Sequence, residues 1–225
     1  MQTIDVETWP RRDLFCFYSG LDYPHFNVCA DMDITRLHRH CRKSGISRFN
    51  GVLFGVSHTA NLIEEFRQRI RQDQVVQHEE VQPSFTVLTE ENTFCFCETK
   101  YCQDINLFSE RTNEAIANAK ENPSIEDEPG RDDYLFISSL PWVRFTSVSH
   151  PIHMSPVDSI PRITWGRFIE EHKRVIMPLS VQVMPLSVQV HHGIADGYHV
   201  GRFFELFQQW VESVDLIGIS EEESE

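Results

Sequence analysis

A tandem duplication places the tightest constraint on how this chain can fold. The segment MPLSVQV occurs at 177–183 and again, unchanged, at 184–190. Alternating apolar and polar residues predict a strand, in which successive side chains point to opposite faces. Because seven is an odd number, one unbroken strand would turn the apolar residues of the two copies to opposite faces. We expect the second copy, which leads directly into His191, to keep its place in a sheet and the first to extend the preceding hairpin; a bulge or a loop is the alternative.

The rest of the sequence alternates between helical and strand patterns. Apolar residues at helical spacing predict helices at 33–41, 48–70, 105–120 and 196–214. Period-two patterns predict strands at 75–76, 84–88, 93–98, 134–138 and 143–148, and a hairpin of 162–168 with 174 onwards. The charged segment 124–133 is typical of a surface loop, since strand patterns resume after it. We therefore predict one domain over residues 1–218 and a mobile acidic tail at 219–225.

The acidic balance of the chain excludes several classes of partner. With a net charge of -14 and a pI near 5.2, the protein would be repelled by phosphate backbones, so no nucleic-acid partner is expected. No run of 18 apolar residues is present and the start resembles no signal peptide, so we expect no membrane association and a cytoplasmic protein. The six cysteines are then expected to be reduced, packed thiols, and no metal is expected. Disulfides, or a zinc site of Cys95, Cys97, Cys102 and a distant histidine, are the alternatives.

The segment VQVHHGIADGYHV at 188–200 carries the candidate chemistry, because it joins a predicted strand to a predicted helix. An imidazole at the end of a strand can be held rigidly while it faces a cleft. Its ordinary pKa near neutrality suits it to act as a general base. The other interpretation is a pair of structural histidines that precede a helix N-cap at Asp196. The spacing alone leaves both interpretations open.

These residues resemble a known family. The stretch 191–197 matches the HHxxxDG signature of the chloramphenicol acetyltransferases, a branch of the CoA-dependent acyltransferases. Upstream, ISSLPWV at 137–143 is similar to the family's I-S-x-L-P-W-V segment. WPRR at 9–12 and FCFY at 15–18 are similar to its opening, and PSFTV at 83–87 and TF at 93–94 to two further elements in the same order.

The resemblance implies an α/β two-layer sandwich with a large mixed sheet, the CoA-dependent acyltransferase fold. It also implies acetyl-CoA-dependent O-acetylation of chloramphenicol, an inactivation of the antibiotic, by a homotrimer with active sites between subunits. His192 is then the general base, which takes a proton from the acceptor hydroxyl while both substrates are bound, without an acyl-enzyme. Ser138 would donate a hydrogen bond to the tetrahedral oxyanion, and Thr164 would order a nearby water.

Further residues receive roles from the same resemblance. Asp196 pairs with Arg11 and holds the corner in place instead of completing a histidine triad; loss of one partner of a buried pair costs roughly 3–5 kcal/mol. The acceptor pocket corresponds to Phe26, Val28, Phe94, Phe96, Val148 and His150. Phe96 stands where a small residue is usual and His150 where an aliphatic one is usual. Either these substitutions narrow or polarise the pocket, or neighbouring residues compensate and chloramphenicol still fits.

Three functions stay open at this point. Chloramphenicol is the leading acceptor, and another small hydroxyl or thiol acceptor is the first alternative. A non-catalytic protein that sequesters an apolar ligand is the second. A dihydrolipoyl acyltransferase core is disfavoured, because the chain has no lipoyl-domain lysine motif and no Ala/Pro-rich linker. If the duplication shifts the strand that leads into His192, the enzyme would be weakened.

Overall fold

The architecture is a large mixed β-sheet with helices packed against one face. A computed structural model describes residues 1–126, 128–174 and 178–214, with the backbone alone described for 171–174 and 178–181. The strands are β1 (Gln2–Ile4), β2 (His25–Asp33), β3 (Gln68–Arg71), β4 (Gln74–Gln77), β5 (Gln82–Leu88), β6 (Phe94–Glu98), β7 (Tyr134–Leu140), β8 (Arg162–Gly166), β9 (Ile169–Arg174) and β10 (Pro178–His191). The helices are α1 (Arg12–Ser19), α2 (Thr35–Ser44), α3 (Arg48–Asn61), α4 (Ile105–Glu121) and α5 (Gly197–Ser213).

Within the described residues, seven strands form the large sheet in the order β2-β10-β8-β7-β5-β6, with β9 paired to β10. β7 runs parallel to both β5 and β8, and the other pairs are antiparallel. A second sheet of three strands has the order β1-β4-β3. The predicted α/β sandwich with a large mixed sheet is confirmed. The spacing did not predict β1, β2, β3 or α1.

Apolar side chains fill the space between the sheet and the helices. On the helix-facing side of the sheet, Leu135 and Ile163 are fully buried. The apolar stripe predicted for the last helix is confirmed, since Phe203 and Trp210 of α5 are buried in the same core. α3 approaches α5 so closely that a Cβ atom at Gly55 would stand 2.3 Å from a ring carbon of Trp210. A side chain at position 55 would therefore push the two helices apart.

The predicted helix 48–70 is wrong over its last third. α3 ends at Asn61, and a short 3-10 helix (Glu64–Arg67) leads into β3. The side chain of Asn61 both donates to the carbonyl and accepts from the N–H of Val81, which ties the helix end to the chain before β5. The guanidinium of Arg69 is buried and donates to four backbone carbonyls around it. These tertiary hydrogen bonds override the helical spacing that continues in the sequence.

The predicted strand 143–148 is also wrong. The chain turns directly after β7, where the N–H of Val143 donates to the carbonyl of Leu140, and it runs without regular strands up to β8. Asn27 donates from its side chain to the carbonyl of Val148. This loop therefore lies against the sheet face opposite the helices.

Both copies of the duplicated segment enter one strand, β10. The first copy pairs with β9, from Pro178 opposite Arg174 to Val183 opposite Ile169, and the second pairs with β2 and β8. The expected hairpin extension is confirmed. A bulge lies between β8 and β9, where the three residues 166–168 face only two residues of β10, one of which is Pro185. A proline has no N–H to donate, so it fits at such a bulge.

The remaining predictions concern membrane spans, the cysteines and the C-terminal tail. The described helices include none that is both long and apolar enough to cross a membrane. All six cysteines are free. The tail at 219–225 lies outside the described residues, and the single domain over 1–218 stays a prediction.

Candidate active site

A tight corner after β10 positions His192. The N–H of His192 donates to the carbonyl of Pro24, 2.8 Å away. The N–H of Ile194 donates to the carbonyl of His191 at 3.1 Å, and α5 follows. These bonds leave little freedom in the backbone on either side of the imidazole.

The ring of His192 lies against two aromatic side chains. It stacks on Tyr18, with ring centroids 3.9 Å apart and planes 5° apart, and it contacts Phe26 at 4.5 Å. The side chain is partly exposed, and its buried Nδ1 has no hydrogen-bond partner among the described residues. Aromatic faces fix the plane of an imidazole without engaging its nitrogens, so the ring stays able to accept a proton.

The preceding histidine is unsuited to the same task. His191 is buried, its Nδ1 accepts from the N–H of Gly193 at 3.1 Å, and its ring meets that of His25 edge to face at 5.2 Å. Burial, and to a smaller extent the imidazoles of His25 and His192, lower the pKa of His191 to about 4. A Cβ atom at Gly193 would lie 3.0 Å from the His191 ring. The open position therefore belongs to His192, the histidine that the signature indicates.

An ion pair lies behind this corner. Nη1 of Arg11 contacts Oδ2 of Asp196 at 2.8 Å, and Nη2 reaches the carbonyl of His192 at 3.5 Å. Burial alone would raise the pKa of Asp196, but the hydrogen bond from Arg11 and the charge of nearby His199 lower it to about 2. The predicted Arg11–Asp196 pair is thus present in the structure. Because Arg11 also bonds the His192 backbone, it ties the start of α1 to the corner.

The pair belongs to a longer network that the sequence analysis missed. Asp196 is the N-cap of α5, and its Oδ1 lies 2.9 Å from Nδ1 of His199. Nε2 of His199 contacts Glu65 at 3.2 Å. The hydrogen bond to Glu65, against the opposing effect of burial, raises the pKa of His199. His199 follows the HHxxxDG motif by two residues in the same 188–200 segment. This proximity was the signal that could have identified it.

A second group of predicted residues lines a cavity of about 590 Å³ at the other side of the sheet. The predicted residues that reach this cavity are Phe94, Phe96, Ser138 and His150. Phe136 and the Asp158–Arg162 ion pair, which the sequence analysis did not single out, also line it. The lining therefore includes both aromatic and polar side chains.

Ser138 and Thr164 are ladder neighbours on the sheet face that the cavity occupies. Ser138 of β7 pairs with Thr164 of β8, which pairs in turn with Ser187 of β10. Thr164 is fully buried, and its hydroxyl lies 2.9 Å from Nε2 of His150. Burial, followed by the charge of Arg162, lowers the pKa of His150.

The other predicted pocket residues lie elsewhere. Phe26 packs against His192, as described above. Val28 is about one-third exposed on β2, and Val148 lies in the loop beside that strand, where its carbonyl accepts from Asn27. Neither valine lines the cavity that holds Phe94. Within one chain, the structure thus divides the predicted acceptor pocket between two places.

His192 and Ser138 of one chain are far apart. Position 192 is five residues beyond Ser187 along β10, and Ser138 is two strands away from Ser187. Strand geometry makes these separations about 17 Å and about 10 Å, so the two Cα atoms lie roughly 19 Å apart. Groups that act on one reacting centre must each come within about 3 Å of it. One chain therefore cannot bring both side chains to the same acyl group.

Comparison with known proteins identifies the family. The family model described as chloramphenicol acetyltransferase matches residues 1–208. The chain belongs to the chloramphenicol acetyltransferase family. Chloramphenicol acetyltransferase 2 of Haemophilus influenzae is 29% identical over 213 residues, which cover 94% of this chain and 97% of that protein. Chloramphenicol acetyltransferase 3 of Escherichia coli is 30% identical over 207 residues, which cover 91% of this chain and 94% of that protein.

Solved structures support the same fold. A chloramphenicol acetyltransferase superposes with a TM-score of 0.80 at 23% identity, covering 93% of this chain and 99% of that one. The cubic core of the pyruvate dehydrogenase multienzyme complex superposes with a TM-score of 0.67 at 15% identity, covering 91% and 88%. The acyltransferase fold that the resemblance implied is confirmed for this member of the chloramphenicol acetyltransferase family.

Among the side chains that the structure describes, no group of three or more from His, Cys, Asp or Glu is placed to hold a metal ion. At the corner, the carboxylates of Asp196 and Glu65 instead contact Arg11 and His199.

Proposed function

We propose that this protein transfers the acetyl group of acetyl-CoA to a hydroxyl of chloramphenicol. The observation that carries the proposal is the His192 imidazole, stacked on Tyr18 and backed by the Arg11–Asp196 pair at the HHxxxDG corner. Membership of the chloramphenicol acetyltransferase family supports the choice of acceptor. A cavity with an aromatic wall of Phe94 and Phe96 fits a small aromatic substrate.

The reaction would proceed by direct transfer with both substrates bound. His192 accepts the proton of the acceptor hydroxyl while that oxygen attacks the thioester carbonyl carbon. The carbonyl oxygen becomes a tetrahedral oxyanion, to which the Ser138 hydroxyl donates a hydrogen bond. The intermediate then collapses, the C–S bond breaks, and the thiolate of CoA takes the proton from the imidazolium. The products are the acetyl ester and CoA thiol, and the histidine is neutral again.

The proposal requires two copies of the chain at each site. His192 and Ser138 of one chain are roughly 19 Å apart by strand geometry, so the serine would come from a neighbouring subunit. Large apolar side chains are exposed near both groups: Phe17 of α1 is 64% exposed and Trp142 after β7 is 62% exposed. A head-to-tail interface that closes on itself generates a ring, and we propose the homotrimer that the resemblance implies.

A thiol-release assay tests the proposed function. The protein is incubated with acetyl-CoA and either chloramphenicol or a panel of other small alcohols and thiols. Release of CoA thiol that depends on chloramphenicol supports the proposal. Release only with another acceptor would assign the same chemistry to a different substrate, and stoichiometric chloramphenicol binding without release would indicate sequestration. His192→Ala is the matched control, with an expected rate loss of roughly 10²–10⁴-fold.

A cytoplasmic location is part of the proposal. Six free thiols are typical of a reducing compartment, which is also where acetyl-CoA is available.

A further inference from the structure

The Thr164 hydroxyl is engaged within the protein and closed to the cavity. Its side chain is fully buried, and its Oγ1 lies 2.9 Å from Nε2 of His150. A hydroxyl has one proton to donate and two acceptor positions, and a bound imidazole uses one of these. A buried hydroxyl does not reach a substrate directly. Within the described residues, the side-chain partner of the Thr164 hydroxyl is thus the ring of His150.

His150 occupies the space between Thr164 and the cavity. Its backbone N–H donates to Oε1 of Gln189 at 3.3 Å, so the loop is held at this point by β10. Its ring lines the cavity together with Phe94, Phe96 and Ser138. Among the described residues, the only hydrogen bond of the ring is the one that its Nε2 shares with the Thr164 hydroxyl. The second ring nitrogen, Nδ1, is thus left for a molecule in the cavity.

From this geometry we propose that His150 is a specificity-determining residue, which binds the acceptor through Nδ1, and that Thr164 acts only by positioning its ring. The inference rests on the proposed function, because it names a residue of the acceptor site. An aliphatic residue at position 150 would offer the acceptor only apolar contact, whereas a neutral imidazole offers one hydrogen bond. The cavity therefore favours acceptors that carry a hydrogen-bonding group in addition to the hydroxyl that reacts.

Steady-state kinetics with chloramphenicol tests this role. His150→Phe keeps a planar ring but loses both nitrogens, and it is expected to raise the KM for chloramphenicol roughly 3- to 10-fold, the usual value of one hydrogen bond. The kcat and the KM for acetyl-CoA are expected to stay within about twofold, because His150 is separate from the proton transfer. His150→Gln, which keeps two polar atoms on its side chain, is expected to recover part of the loss. An unchanged or lower KM for chloramphenicol in His150→Phe would overturn the proposal.

A double-mutant cycle separates positioning from an independent role of Thr164. Thr164→Val in the unsubstituted background is expected to raise the KM for chloramphenicol by about the same factor as His150→Phe. In the His150→Phe background it is expected to add less than about twofold, because the ring that Thr164 positions is already gone. A fall in kcat caused by Thr164→Val in the His150→Phe background would show that Thr164 acts on its own and would overturn this assignment.

Binding measurements keep the inference testable if the proposed function fails. Calorimetry of chloramphenicol with His192→Ala protein and with the His192→Ala/His150→Phe double variant requires no turnover. A 3- to 10-fold weaker Kd in the double variant, as expected for one lost hydrogen bond, supports the role of His150. An equal Kd rejects it, even if the thiol-release assay has already rejected acetyl transfer. Circular dichroism of each variant confirms that it is folded.

Discussion

The imidazole of His192 lies parallel to the phenol ring of Tyr18, with the two centroids 3.9 Å apart. Tyr18 comes from α1, so the candidate base is oriented by a helix that is distant in the sequence. Stacking fixes the plane of the ring, and a hydrogen bond from Arg11 holds the backbone behind it. Tyr18 thus orients the imidazole ring of His192, and Arg11 holds its backbone.

Tyr18→Leu is expected to lower kcat about 10-fold without unfolding the protein, because a poorly oriented general base loses part of its rate advantage. Tyr18→Phe keeps the ring and is expected to retain kcat within about twofold. Thiol-release kinetics of the two variants at saturating acetyl-CoA provide the measurement. Equal kcat values for Tyr18→Leu and Tyr18→Phe would show that the stack does not position His192.

Removal of one partner of the Arg11–Asp196 pair is expected to reduce the free energy of unfolding. Asp196 is 28% exposed and Arg11 12%, so the loss should be about 2 kcal/mol, below that of a fully buried pair. Urea denaturation of Asp196→Asn, Arg11→Ala and the double variant measures it, and the coupling should exceed about 1 kcal/mol. Arg12→Ala, which removes a half-exposed arginine beside the pair, is the matched control and should change stability by less than about 0.5 kcal/mol. Additive losses would argue against a coupled pair.

Acid is expected to destabilise the fold through His191. Its pKa is about 4 in the folded protein, against 6.5 for an ordinary histidine, so the unfolded chain takes up the proton first as the pH falls. The stability that neutral His191 contributes is therefore complete above about pH 6.5 and is lost progressively towards pH 4, on the order of 3 kcal/mol in all. Urea midpoints measured between pH 7 and pH 5 should fall, and the fall should be smaller in His191→Asn. The same slope in both proteins would remove His191 as its cause.

The duplicated segment can be tested by deletion, because removal of either copy gives the same sequence. The remaining copy keeps the register with β2 and β8 that leads into His192, while the deletion removes the residues of β10 that pair with β9 and the hydrogen bonds of the Gln182 backbone to Ile34 and Thr35. The deletion is expected to keep kcat within about twofold, as changes in protruding hairpins are usually tolerated. A large loss of activity in folded, deleted protein would show that the first copy contributes to the site.

The sequence predicted those parts of the site that lie within one motif. His192 and Asp196 are four residues apart and share the strand-to-helix corner, so the local pattern placed both of them there, although it left the role of His192 open. The Arg11–Asp196 pair spans the chain and was available only from resemblance. Tyr18 lies in the FCFY motif at 15–18, but its contact with His192 depends on how α1 packs against the corner, which no local periodicity encodes.

The errors in secondary structure have the same origin. Helical spacing of apolar residues continues past Asn61 because Ile63 and Phe66 are buried in the same core, although they are no longer in a helix. Local periodicity reports burial, and burial alone does not distinguish a helix from a 3-10 turn followed by a strand. The hydrogen bonds of Asn61 to Val81 decide the difference, and these join segments that are distant in the sequence.

Subunit complementation tests the account most directly. His192→Ala and Ser138→Ala chains are each expected to be nearly inactive, and they are denatured together in equal amounts and refolded. If every site combines His192 of one chain with Ser138 of the next, random trimers carry about a quarter of their sites intact, and about a quarter of the unsubstituted thiol-release rate should return. Recovery no greater than the sum of the two parent proteins, in refolded mixed trimers, would contradict a site in which His192 of one subunit acts with Ser138 of another.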